Sequence, residues 1–250
     1  MSKRKPEGKF EFIKTIVIAG ALALGFRSLL FEPFNIPSGS MIPTLLVGDY
    51  LFVSKYSYGY SRYSFPFGMA PLDGRVFETS PERGDVAVFR QPQNESVAFI
   101  KRIVGLPGDR IQVVKGVLRI NDVAVDRDRK GFATASDGYN VIRFAVYQET
   151  LPNGSKHIAV YNKDGTLQNT AKFIVPEKHF FLLGDNRDCS SDSRYLDNVG
   201  YVNFLNLVGK AQIIFFSNDT RKGSLLKIWN LNKENFRNPT QSEIVIRRSI

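Results

Sequence analysis

The first residue that could do chemistry is Ser40, in the segment Ile-Pro-Ser-Gly-Ser-Met-Ile-Pro-Thr-Leu-Leu-Val-Gly at positions 36–48. Proline and glycine around it predict a turn, which can hold a hydroxyl exposed in one fixed orientation. A serine becomes a nucleophile only when a neighbouring base removes its proton. Ser40 is therefore a candidate nucleophile if the fold brings a base to it.

Lys101 is the best candidate for that base because of its position on a predicted strand. Side chains alternate between the faces of a strand, so it shares a face with Val97, Phe99 and Ile103. Burial there would disfavour the ammonium and bring its pKa from about 10.4 towards about 7–8, at a cost of about 4 kcal/mol. The pattern also allows an ordinary surface lysine at a strand edge. Arg102 points to the other face and keeps its charge, so it needs a carboxylate partner.

A third polar segment, Gly-Asp-Asn-Arg-Asp-Cys-Ser-Ser-Asp-Ser-Arg at 184–194, directly follows the apolar residues 180–183. A solvated turn is one interpretation of this cluster, and a cation-binding loop is another. A calcium loop would end in a bidentate glutamate, which is missing here. The segment could instead supply a hydroxyl that orients Lys101 and an acid that holds Arg102.

Few other residues could carry catalysis or bind a metal. Cys189 is the single cysteine, which excludes an intrachain disulfide and a cysteine-rich zinc site. The two histidines, His157 and His179, leave little for a histidine triad or metal site, and His179 fits a strand residue. Lys55, at a strand end, fits a solvated or loop-anchoring lysine. We therefore expect no metal and no organic cofactor.

The formal net charge is +10, and basic residues cluster towards both ends of the chain. Nucleic-acid binding is one explanation of such a charge. No zinc finger or aromatic RNA-binding motif accompanies it, so we expect no nucleic-acid partner. Basic ends that set membrane topology and face anionic lipid are the favoured explanation.

Residues 12–31, FIKTIVIAGALALGFRSLLF, form the one candidate membrane segment. At 1.5 Å per residue, a helix of this length reaches about 30 Å, enough to span a bilayer. A cleaved signal peptide is the alternative, but the apolar run continues beyond Arg27 and favours a retained anchor. The basic N-terminus then lies in the cytoplasm. The chain after about residue 32 lies on the periplasmic or extracytoplasmic side of the cytoplasmic (inner) membrane, as a single-pass protein.

The rest of the chain has the pattern of short strands separated by Gly and Pro turns, which predicts a mostly β, antiparallel fold. Residues 126–170 are polar and predicted to be irregular, with short strands at 141–146 and 157–161. The predicted domains are a cytoplasmic tail 1–11, an anchor 12–31, a main β domain from 32–109 and 173–218, an inserted β-rich subdomain 110–172, and a basic C-terminal tail 219–250.

Taken in order, these segments resemble the bacterial type I signal peptidases (leader peptidases), which are Ser–Lys serine proteases. The matching segments are 36–45, 48–56, 83–89 with 99–109, and 184–194, so the resemblance extends from about 27 to 216. Several long motifs in the same order are a specific signal. The tetrapeptide around Ser40 alone would be a weak one.

The resemblance implies roles for residues at the matching positions. Ser40 would be the nucleophile, Lys101 the neutral general base, and Ser190 the residue that orients the lysine. Ser38 would form an oxyanion hole with the Ser40 backbone N–H, and each such donor is typically worth about 3 kcal/mol.

Arg102, Asp192 and Arg194 would brace the site as a salt-bridged set. The implied fold is the mostly β fold shared with LexA-type self-cleaving repressors. The implied activity is cleavage of signal peptides from exported preproteins at the bilayer surface, with small residues at substrate positions −1 and −3. The implied partners are preproteins and the lipid bilayer, and a monomer is the working assumption.

Two other functions fit part of this sequence pattern. A cytoplasmic self-processing Ser–Lys protease fits the candidate residues but not the membrane segment. A non-catalytic anchored β domain that binds exported proteins fits the anchor, but it would not need Ser40, Lys101 and Ser190 together. The chain also departs from some relatives, since it has one membrane segment and no cysteine pair in the insert. Its aromatic segment 57–80 is expected to pack on the protein rather than enter lipid.

Overall fold

The computed structural model describes residues 9–65, 72–136, 141–162, 168–217 and 229–230. Every predicted site residue lies within these ranges. Most of the two predicted tails, and part of the aromatic segment 57–80, lie outside the described residues.

A single long helix, α1, spans Lys9–Leu29. Its segment Phe10–Leu29 has a mean hydropathy of 1.6, and only 6% of it is buried, so apolar side chains face outward all round. That surface suits lipid, and by length and composition it suits an anchor or a signal sequence equally. The helix ends two residues before the predicted boundary at 31, because Phe31 already belongs to the first strand.

The body consists of antiparallel strands. In chain order they are β1 Phe31–Asn35, β2 Asp49–Ser54, β3 Val86–Gln91, β4 Asn94–Gly105, β5 Arg110–Val114, β6 Val117–Ile120, β7 Val123–Ala124, β8 Asp126–Ser136, β9 Val141–Thr150, β10 Lys156–Asn162, β11 Phe173–Ile174, β12 His179–Leu183, β13 Val202–Asn203, β14 Leu207–Ser217 and β15 Trp229–Asn230. The predicted mostly β, antiparallel fold behind one N-terminal apolar helix is confirmed.

The largest sheet has the order β1-β2-β14-β3-β4-β12-β13, with β15 pairing β14. Pro33 lies in β1, an edge strand, where a missing backbone N–H is tolerated. Between β4 and β12 the chain builds two smaller sheets, one of order β11-β5-β6-β7 and one of order β10-β9-β8. We call the second of these the inserted sheet.

The inserted sheet is more regular than the sequence indicates. β8 and β9 pair from Asp126↔Thr150 to Ser136↔Val141, although 126–140 was predicted to be irregular. That prediction was wrong because β8 carries charged residues on its exposed side. The register also shifts between Arg129 and Gly131, which interrupts any simple alternation.

Strand β4 connects the core to the candidate site. Its first residues, 94–98, are exposed, whereas residues 101–105 are buried. On one side Lys101 pairs with Ala87 of β3, and on the other Arg102 pairs with Leu183 of β12. Because β12 pairs only with residues 102–105, the edge of β4 before Lys101 has no partner strand on that side within the described residues.

Candidate active site

The candidate nucleophile lies in a short 3₁₀ turn, Gly39–Met41, between β1 and β2. Met41 is fully buried in the core of the main sheet and holds the turn down. The turn is also bonded from the 184–194 segment: the Asn186 backbone N–H donates to the Ser40 carbonyl oxygen at 3.1 Å. The Asn186 side-chain amide donates to the Gly39 carbonyl oxygen at 3.1 Å. Met41 in the core and Asn186 in the 184–194 segment therefore hold the Ser40 turn in place.

Lys101 Nζ lies 2.6 Å from Ser40 Oγ. Only 4% of Lys101 and 8% of Ser40 is exposed, so this lysine is not at the surface. Burial lowers the pKa of the Lys101 amine to about 8, while the carboxylates of Asp192 and Asp185 oppose that shift. An amine with this pKa is partly neutral near pH 8 and can accept the proton of a hydroxyl hydrogen-bonded to it.

The carboxylates around Lys101 are bonded to arginines. Arg102 Nε and Nη2 donate to the two oxygens of Asp185 at 2.8 and 2.6 Å. Arg194 Nε and Nη2 donate to the two oxygens of Asp192 at 2.7 and 2.8 Å. Within the part of the chain that the structure describes, no carboxylate comes within 4.0 Å of Lys101 Nζ. The amine therefore has no ion-pair partner of its own.

A second buried lysine shows the contrast. Lys55 is 2% exposed, and its Nζ forms an ion pair with Glu32 Oε2 at 2.8 Å. It also donates to the Ser64 carbonyl oxygen at 2.5 Å, which ties down the following loop. Burial lowers the pKa of Lys55, but the bond to Glu32 works against the shift. Lys55 thus anchors a loop and has a carboxylate counterion. Lys101 instead bonds to a hydroxyl and, among the described residues, has no counterion.

The salt-bridged set differs from the predicted one. Arg102 does not pair with Asp192; its partner is Asp185. The reason is the register, since Leu183 lies opposite Arg102 and Asp185 follows two residues later. Asp192 instead turns back to accept the Gly184 backbone N–H at 3.0 Å and pairs with Arg194. The brace consists of two separate pairs.

Ser38 and Ser190 lie beside the pair formed by Ser40 and Lys101. Ser38 Oγ is 3.4 Å from Ser40 Oγ. Ser190 Oγ is buried and has no hydrogen-bond partner within the described part of the chain, so the expected bond to Lys101 is not formed. Ser190 packs against Gly184, where an added Cβ would collide with its hydroxyl and lie 2.5 Å from the Ser40 carbonyl oxygen. Its orienting role stays a prediction.

Sequence reasoning missed three functional neighbours. Asp185 and Asn186 lie in the polar segment that was singled out, but nothing marks them individually in the sequence. Thr44 Oγ1 donates to Asp185 Oδ2 and lies 3.4 Å from Arg102 Nη2. No signal in the sequence sets Thr44 beside these two residues.

Comparisons with known proteins show which family the chain is similar to. A family model described as "Signal peptidase, peptidase S26" matches residues 9–216. Signal peptidase I of Rickettsia typhi is 48% identical over 206 residues, which cover 78% of this chain and 76% of the relative. Signal peptidase I of Rickettsia prowazekii is 46% identical over 220 residues, 84% of this chain and 79% of the relative. A solved structure of a signal peptidase I from Enterococcus faecalis is 26% identical, with a TM-score of 0.33. The match covers 53% of this chain and 97% of the solved chain.

Proposed function

The chain belongs to the peptidase S26 family of signal peptidases, and from this premise we propose that it is a membrane-anchored serine endopeptidase with a Ser40–Lys101 dyad. Its substrates are exported preproteins, from which it removes the signal peptide. The observation that carries the proposal is the 2.6 Å contact between Ser40 Oγ and the buried Lys101 amine.

Each step of the reaction has a residue to perform it. Neutral Lys101 takes the Ser40 hydroxyl proton while Oγ attacks the carbonyl carbon of the residue before the scissile bond. The Ser40 backbone N–H and the Ser38 hydroxyl stabilise the developing oxyanion. The protonated Lys101 then gives its proton to the leaving amine as the C–N bond breaks. Water, deprotonated by the same amine, releases the signal peptide from the acyl-enzyme.

The substrate binds as an extended strand along the edge of β4. Residues 94–100 precede Lys101 directly, and 94–98 are exposed, so a peptide could add to the sheet next to the dyad. Small side chains at substrate positions −1 and −3 would face the enzyme, because alternate residues of a strand point the same way. The proposed catalytic domain comprises 32–109 and 173–218, with 110–172 as an insert.

Anchoring in the bilayer is supported by the surface next to α1. The rings of Phe26 and Phe31 lie 6.2 Å apart, Phe31 and Phe52 6.1 Å, and Phe52 and Phe215 4.2 Å. Tyr56, which is 46% exposed, packs against Phe31. Aromatic side chains are enriched where proteins cross the membrane interface. These residues extend the apolar surface of α1 onto β1, β2 and β14.

The distance from the anchor to the nucleophile suits a substrate that is itself held in the bilayer. The nine residues from Glu32 to Ser40 span at most about 30 Å. At the helix end, Arg27 Nη2 binds Glu32 Oε1 at 2.6 Å, which fixes the direction of the chain as it leaves α1. The basic N-terminus supports an orientation with the body of the protein outside the cytoplasmic membrane.

The test is cleavage of a purified preprotein carrying an Ala-X-Ala site by the detergent-solubilised full chain, with the product mass giving the bond cleaved. We expect cleavage after the second alanine by the wild type and none by Ser40→Ala. Ser57→Ala is a matched control, since Ser57 is a serine of the loop after β2 whose hydroxyl bonds to Ser54 and to no candidate site residue among those described. Cleavage by Ser40→Ala would remove the nucleophile assignment, and an inactive wild type would remove the function.

A further inference from the structure

The inserted sheet supports the candidate active site through backbone hydrogen bonds. The Val160 N–H of β10 donates to the Asp185 carbonyl oxygen at 2.9 Å, and the Arg187 N–H donates to the Val160 carbonyl oxygen at 2.9 Å. Val160 and Asn186 thus form an isolated parallel bridge. Because Asn186 in turn bonds to the Ser40 turn, residues 185–187 lie between the inserted sheet and the nucleophile.

A buried cluster of polar side chains fixes residues 185–187 from the same sheet. Both Glu149 oxygens accept hydrogen bonds from Arg187, with Nη1 at 3.0 Å from Oε1 and Nη2 on Oε2. The Tyr161 hydroxyl donates to Glu149 Oε1 at 2.5 Å and accepts from Arg187 Nη1 at 2.6 Å. His157 Nε2 lies 3.4 Å from Glu149 Oε2. Glu149 is 1% exposed and Arg187 3%, so neither charge is screened by water.

A gain in the stability of the fold is a poor explanation for this cluster of buried charges. Moving two charges out of water costs several kcal/mol each, and apolar residues of similar volume often serve as well or better. A bidentate guanidinium–carboxylate pair, however, fixes distance and angle in a way that apolar packing does not. The Arg187 carbonyl oxygen also accepts a hydrogen bond from Arg194, the partner of Asp192. The cluster therefore contacts both the segment under Ser40 and the charges around Lys101.

We propose that Glu149 is a positioning residue for the cleavage reaction: through Arg187 it fixes residues 185–187, which hold the Ser40 turn against Lys101. This inference rests on the proposed function. It gives the insert a role in turnover, although Glu149 touches neither substrate nor the reacting atoms.

The first test compares Glu149→Gln with the wild type in the preprotein assay. Displacing a reacting atom by about 1 Å can cost up to 100-fold, so we expect kcat to fall by roughly 10- to 100-fold. KM should stay unchanged, because no hydrogen bond or ion pair among the described residues joins the β4 edge proposed to bind substrate to the cluster. Asp128→Asn is the matched control, as Asp128 is an exposed carboxylate of the same sheet that pairs only with Lys130 among the described residues. It should retain wild-type kcat.

A double variant separates positioning from stability. Glu149→Gln with Arg187→Met removes both buried charges, which should recover much of the melting temperature lost in Glu149→Gln. Positioning predicts that kcat per folded molecule stays low. Recovery of kcat together with stability would overturn the proposal, because the pair would then only hold the fold.

A mutant cycle tests the route to Ser40. Asn186→Ala removes the side-chain bond to the Gly39 carbonyl oxygen. If Glu149 acts through this segment, adding Glu149→Gln to Asn186→Ala should lower kcat by less than it does in the wild type. Fully additive losses would contradict the route. A wild type that does not cleave would defeat the proposed function, whereas an active wild type with a fully active Glu149→Gln would defeat this inference alone.

Discussion

The Asp192 carboxylate raises the pKa of the Lys101 amine without forming an ion pair with it. Both carboxylate oxygens of Asp192 are bonded to Arg194, and one of them also accepts the Gly184 N–H. The carboxylate thus acts on the lysine through space and leaves its nitrogen to Ser40. Burial of the amine outweighs this effect, so the amine can be neutral at a pH where an ordinary lysine is charged.

The pH dependence of cleavage should respond to this carboxylate. Asp192→Asn removes a charge that stabilises the ammonium, while Arg194, which destabilises it, remains. The pKa of Lys101 should therefore fall, and the acidic limb of kcat/KM against pH should move to lower pH.

The measurement is a kcat/KM profile of the wild type and Asp192→Asn with one preprotein. Asp122→Asn is the control, since Asp122 is a solvent-exposed carboxylate paired with Arg110 and Lys172. Its profile should match that of the wild type. An acidic limb of Asp192→Asn that stays in place or moves to higher pH would contradict the electrostatic account of Lys101.

Ser190 should matter for turnover and not for stability. Its buried hydroxyl has no hydrogen-bond partner among the residues described, so Ser190→Ala removes no bond. Because an unpaired buried hydroxyl is costly, the melting temperature of this variant should be equal to or above that of the wild type. If the hydroxyl bonds to Lys101 during the reaction, kcat should fall roughly 10- to 150-fold, the value of a bond to a charged group. Unchanged kcat in a stable variant would exclude the orienting role.

Gly184 should tolerate no side chain, because the space beside it holds Ser190 and the Ser40 carbonyl oxygen. Overpacking a tight site costs about 1–3 kcal/mol, and here the displaced groups are the Ser190 side chain and the backbone of the nucleophile. Gly184→Ala should therefore lose nearly all cleavage activity and unfold at a lower temperature. Gly20→Ala is the control, since among the described residues a Cβ at that helical position would meet no atom within 4 Å beyond its chain neighbours and the backbone of the helix itself. Wild-type cleavage by Gly184→Ala would mean that the site is looser than described.

The sequence predicted those parts of the site that depend on local pattern. Alternation along β4 left open whether Lys101 is buried or lies at the surface, and the structure shows it buried. The proline and glycine residues around Ser40 predicted its turn. The partner of Arg102 could not be predicted, because the register of β12 against β4 shifts between Phe181 and Leu182. The 184–194 segment contains several acids, and the sequence does not show which of them the pairing of β12 with β4 brings to Arg102.

Contacts between segments that are distant in the sequence could not be predicted either. Glu149 is one acidic residue in a polar stretch, and only the pairing of β9 with β10 sets it opposite His157. The boundary of α1 was misplaced for a similar reason. Phe31 continues the apolar run of the helix, but it pairs with Ser54 of β2, and the next residue, Glu32, binds Lys55. Tertiary pairing decided these positions, not local propensity.

The most direct test of the Ser40–Lys101 dyad is the pH profile of preprotein cleavage by the wild type, measured beside Lys101→Arg. A neutral lysine base predicts that wild-type kcat/KM rises through a pKa of about 8. Lys101→Arg should be inactive at every pH, because a guanidinium stays protonated. Cleavage by Lys101→Arg, or a wild-type profile without that limb, would contradict the assignment of Lys101 as the general base.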